Sequence, residues 1–157
     1  MSDMYELLVT LTLSPAIPDD ELAELRWHLG QGPKPDALPL TGGAPGPAFP
    51  LGDPEDPDSE WDTDPEPMFA HRGAGWKLPG ALVADLVERD GRPGWALTLR
   101  QEIHPDEFPA IRALLRRVAR HGESIGFAGF VRFYEDHAVQ PLLAEPGRIE
   151  LPAALLD

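Results

Sequence analysis

The chain has 157 residues, a net charge of −14, 19 prolines, 15 glycines and no cysteine. That length suits one α+β domain over residues 1–157, and the missing thiols remove disulfide scaffolds, thiolate metal sites and cysteine nucleophiles together. Strong negative charge repels phosphate backbones and anionic lipid, and no run approaches 18 apolar residues, so neither nucleic acid nor membrane is an expected partner. Acids follow Met1 where a secretory leader would carry bases, which predicts a cytoplasmic protein.

Residues 5–13 alternate as a strand, with Tyr5, Leu7, Val9, Leu11 and Leu13 on one face. Pro18 then opens a helix with Asp19, Asp20 and Glu21 at its positive dipole end. The helix buries Leu22, Leu25 and Leu29 and stops at Gly30. Residues 30–67 break every period. They hold ten prolines and six glycines, and eight acids without a base fall between Asp53 and Glu66. This segment reads as a long insertion loop, ordered in part around Phe49 and Trp61.

Residues 81–89 fit either a strand or a helix turn. The Asp90-Gly91-Arg92-Pro93-Gly94 turn after them, and the alternating strand 95–103 beyond it, favour a hairpin. Pro105-Asp106-Glu107 starts a helix whose stripe is Phe108, Ile111, Leu114, Leu115 and Val118, ending at His121-Gly122. Residues 126–135 form the last expected strand, with Phe127, Val131 and Phe133 inward. Residues 138–157 are a proline-containing extension packed along an edge. The order β-α-insertion-β-β-α-β predicts a ferredoxin-like α+β fold: a four-stranded antiparallel sheet with both helices on one face. Leu7, Val9, Leu11, Leu97, Leu99, Val131 and Phe133 would then line the helix side.

The opposite face takes Glu6, Leu8, Thr10 and Thr12, then Thr98, Arg100 and Glu102, then Phe130, Arg132, Tyr134 and Asp136. This set is too apolar for solvent and too charged for a core. A homodimer interface or a lid from 30–67 is the plain reading. The alternative is a site for a small-molecule ligand or protein partner using Thr10, Phe130, Arg132 and Tyr134, with Trp61 and His71 beside it. Glu102 and His104, two apart at a strand end, form the sharpest catalytic candidate. A carboxylate beside an imidazole tunes a general base, and Arg100 on the same line would neutralise a substrate anion. His71, His104, His121 and His137 have no metal-ligand spacing, so no metal or cofactor is expected. Arg112, Arg116, Arg117 and Arg120 stripe one helix and read as a solvated face or a dock for the chain's own acidic run. The expected function is a non-catalytic binding module. The alternatives are a small general acid–base enzyme on the open face and an acidic, immunity-type partner that neutralises a basic protein.

The stretches Glu21–Gly30, Gly94–Phe108 and Arg132–Glu135 resemble a group of short bacterial proteins to which no activity is attached. The element order is also similar to that of dimeric α+β barrel proteins, a superfamily that mixes small enzymes with ligand sensors. That likeness implies a dimer and no particular activity.

Overall fold

The computed structural model describes residues 3–42, 49–50, 52–53, 55–58, 60–62 and 64–156. In chain order the elements are β1 (Tyr5–Leu13), α1 (Asp19–His28), β2 (Phe49–Pro50), β3 (Trp61–Asp62), β4 (Gly73–Ala74), β5 (Ala81–Glu88), β6 (Trp95–Ile103), a 3-10 turn (Pro105–Glu107), α2 (Phe108–Ala119), β7 (Gly126–Phe133), β8 (Gln140–Glu145), β9 (Arg148–Glu150) and α3 (Ala153–Leu156). β2 and β3 pair only with each other, inside the insertion. The other strands form one antiparallel sheet in the order β4-β5-β6-β1-β7-β8-β9.

That seven-stranded sheet corrects the expected four-stranded ferredoxin-like βαββαβ fold, and the likeness to dimeric α+β barrels, which rested on it, goes too. The extra strands come from segments whose prolines and glycines mask strand periodicity. Gly73–Ala74 adds a two-residue edge beyond β5. At the other edge Gln140–Glu145 pairs with β7, and Arg148–Glu150 pairs back onto β8. Pro141 is tolerated because β9 reaches only Leu143, Ala144 and Glu145, so the missing N–H of Pro141 faces no ladder on that side.

The hairpin at 81–103 forms as a β5–β6 pair, and Leu82, Ala84 and Leu86 bury the inward side of β5. Leu7, Val9, Leu11 and Leu13 of β1 join Leu97 and Leu99 of β6, Leu25 and Leu29 of the first helix, and Ile111, Leu114, Leu115 and Val118 of α2 in one buried cluster. Val131 is inward as expected. Phe133 is only half-buried, edge-on to Tyr5 at 5.3 Å between ring centroids.

Phe127 turns the other way. The β7–β8 register shifts between Phe127 and Phe130, so Ala128 is buried and Phe127 is 61% exposed on the opposite face. The shift is built on Gly129, whose φ of +129° disfavours any L side chain and whose absent Cβ leaves room for the Leu8 carbonyl.

The insertion is closed off at its root by a buried pair on α1. Glu24 and His28 are fully buried one helical turn apart, with Nε2 of His28 2.9 Å from Glu24 Oε2. The same carboxylate accepts the Leu40 and Thr41 N–H groups and the Thr41 hydroxyl. Nδ1 of His28 accepts the Met68 N–H, and its carbonyl accepts the Phe69 N–H. The chain thus leaves and re-enters the domain at one point. Because Nδ1 is an acceptor, the ring is neutral with its proton on Nε2, donating to Glu24.

Burial holds the His28 pKa below its usual value, against the raising influence of Glu24. The unfolded chain therefore binds more protons near neutrality, so the contribution of this residue is full above about pH 6.5 and falls as pH drops below it. Thermal unfolding of the wild type is expected to lose stability as the pH drops below about 6.5. His28→Gln keeps an N–H toward Glu24 and is expected to show a flatter slope. Equal slopes in the two proteins would contradict the assignment. Glu107, whose carboxyl is pushed up chiefly by burial, contributes with the opposite sign, but equally in both proteins.

Candidate functional site

Cross-strand register divides the open face of the sheet into two halves. The first is charged. Glu6 on β1 lies opposite Glu102 on β6 and Arg132 on β7. It is only 6% exposed, with Arg100 Nε 2.6 Å from Oε2 and Arg132 Nε 2.9 Å from Oε1. The remaining guanidinium N–H groups anchor chain segments. Arg100 donates to the Pro79 and Ala81 carbonyls, and Arg132 to those of Tyr134 and Asp136. Oε1 of Glu102 accepts both the Lys77 and Leu78 N–H groups. Residues 75–80 are thereby laid across this half of the face. Gly75 is required there, since a Cβ would sit 2.6 Å from the Leu78 carbonyl oxygen and 2.7 Å from Glu102 Oε1.

These contacts engage the residues of the sequence-predicted catalytic group. Oε1 of Glu102 takes two backbone donors, and Arg100 is divided between Glu6 and two carbonyls. His104 caps the 3-10 turn: Nδ1 accepts the Asp106 N–H at 3.1 Å while Glu107 accepts the His104 N–H. The imidazole and Glu102 are not hydrogen-bonded to each other, and each serves a different backbone segment. As arranged, the three residues fasten the loop and the helix start. His71 is exposed; its backbone exchanges hydrogen bonds with the buried Gln101 side chain. Tyr134 lies under the Lys77 ammonium, 4.6 Å from the ring centroid, and its hydroxyl is pushed above the usual phenol range by hydrogen bonding to Glu135. Trp61 pairs through its backbone with Pro50, and its side chain lies outside the described residues.

The second half is nearly uncharged. Thr98 of β6 faces Thr10 of β1, Leu8 faces Phe130, Phe130 faces Pro141, and Phe127 faces Leu143. Val87 and Ala96 continue the strip on β5 and β6. Phe127 is 61% exposed, Val87 52% and Leu143 41%, with Ile125 beside them at 81%. Asp85 opposite Thr98, Arg100 opposite Leu8 and Glu150 opposite Leu143 are the charges at its margin. Sequence reasoning placed Thr10 and Phe130 here but missed Phe127 and Leu143. A glycine three residues into an apolar strand is a bulge signal that would have turned Phe127 outward.

Besides a hollow of about 290 Å³ at the end of the strip, lined by Ile125, Leu143, Glu145, Arg148 and Glu150, two concave regions accompany the face. One, of about 290 Å³, lies at the β4–β5 margin and is lined by Met4, His71, Arg72, Trp76, Leu82 and Glu102, with Trp76 75% exposed. The other lies on the far side, where α2 meets residues 40–42. Among the described residues no group of three or more His, Asp or Glu has metal-holding geometry, and no helix is long and apolar enough to cross a membrane. The chain matches no family model, no curated protein and no solved structure.

Proposed function

We propose that this protein is a non-catalytic binding module that docks a second copy of itself through the uncharged half of its open sheet face. The observation that supports this most is the strip Val87, Thr98, Thr10, Leu8, Phe130, Phe127 and Leu143: apolar or hydroxyl side chains running across five strands of a chain with net charge −14. Two such copies repel each other, and close approach costs least where neither surface carries charge. The sheet edges are poor alternatives, because β4 has two residues and β9 three, too short to template pairing with another chain.

At about 4.8 Å per strand, the strip is roughly 20 Å wide and a few residues long, well below the ~800 Å² per partner of a standard interface. The dimer is accordingly weak, with Kd in the micromolar range. Phe127→Glu places a carboxylate in the strip at a solvent-exposed position. Light scattering after gel filtration is expected to show monomer at concentrations where the wild type is dimeric, with melting temperature little changed. An unchanged dimer would overturn this use of the face.

The cleft beside Trp76 supports a second reading, a small-ligand site in which an exposed indole stacks on a flat ligand. Trp76→Ala is expected to abolish uptake of such a ligand without altering the dimer. A ligand retained by Trp76→Ala would exclude the cleft.

A further inference from the structure

We propose that the cleft between the C-terminal part of α2 and residues 40–42 binds a phosphate group. The cleft has a volume of about 300 Å³ and is lined by Leu40, Thr41, Gly42, Arg116, Arg117 and Arg120. Most arginines of this chain are committed elsewhere. Arg26 lies over the Trp95 ring. Arg72, Arg100, Arg112 and Arg132 donate to backbone carbonyls. Arg89, Arg100, Arg132 and Arg148 pair with carboxylates. Arg116, Arg117 and Arg120 make neither kind of contact with a described residue, and all three meet in one concave surface.

Helix geometry brings the three side chains together. Arg120 is four residues from Arg116 and three from Arg117, so both guanidinium stems lie on its face of the helix one turn away. Like charges at those spacings repel, while the dipole at a helix C-terminus attracts each cation. An oxyanion among them removes the repulsion and satisfies planar N–H forks matched to phosphate geometry. The opposite wall is fixed in advance, because Glu24 holds the Leu40 and Thr41 backbone. The chain's own acidic run is within tether range: ten residues lie between Gly42 and Asp53, a span of about 36 Å when extended.

Titration calorimetry of the full chain with inorganic phosphate and with tripolyphosphate, against sodium chloride at matched ionic strength, tests the site. Saturable one-site binding is expected, weakened about tenfold or more in Arg116→Gln and in Arg120→Gln. Arg92→Gln, on the exposed turn after β5, is expected to leave it unchanged. Urea unfolding of each variant separates lost binding from lost fold. No saturable binding by the wild type, or equal weakening by Arg92→Gln, would overturn the proposal. So would binding seen only after the eight acids of residues 53–66 are changed to amides, since that would place the chain's own acidic run in the cleft.

Discussion

Glu24→Ala is expected to lower the unfolding free energy by about 3–5 kcal/mol, a large share of the 5–15 kcal/mol that holds an ordinary domain. The substitution strips the acceptor from four donors at once: the His28 Nε2–H, the Leu40 and Thr41 N–H groups and the Thr41 hydroxyl. Glu24 and His28 are fully buried, so water does not replace the lost partner without opening the packing of α1. Glu24→Gln keeps one acceptor oxygen and is expected to cost less, about 1–2 kcal/mol. Urea unfolding monitored by tryptophan emission measures both. A loss below about 1 kcal/mol for Glu24→Ala would mean that the root of the insertion is held some other way.

Gly129→Ala is expected to be at least as damaging. An added Cβ would lie 1.9 Å from the Leu8 carbonyl oxygen, on a backbone with φ of +129°. Both atoms belong to paired main chains, so neither yields without breaking the β1–β7 ladder. Gly126 on the same strand supplies the control. Its φ is +95°, but nothing lies within 4 Å of the Cβ position. Gly126→Ala should therefore cost only the torsional penalty of about 1–2 kcal/mol, and Gly129→Ala that penalty plus the clash. Equal losses in the two variants would show that torsion alone governs this strand.

The strands and helices that carry strong apolar periods were legible in the sequence: β1, β6 and α2 place the expected residues in the core. The extent of the sheet was not. β8 and β9 lie in a segment punctuated by Pro141, Pro146 and Gly147, and strand periodicity needs more than three to six residues to show. Alternation correctly sent Glu6, Arg100 and Arg132 to one face. Only the register shows that Glu6 lies between the two arginines and that the charged half is a structural clamp. Glu102 and His104 share a strand end, as the period of two requires. What their neighbours ask of them is a tertiary matter: Oε1 of Glu102 and Nδ1 of His104 each accept backbone N–H groups from different segments. The buried Glu24–His28 pair went unread because a carboxylate and an imidazole four apart on a helix look like a solvated pair unless the path of the following loop is known.

The docking of two copies through the uncharged strip is tested most directly by sedimentation equilibrium of the wild-type chain from about 1 to about 200 μM, the range that brackets a micromolar Kd. The mass is predicted to rise with concentration from the 17.2 kDa of one chain toward twice that value. A mass that stays at 17.2 kDa across the range would contradict the proposed dimer.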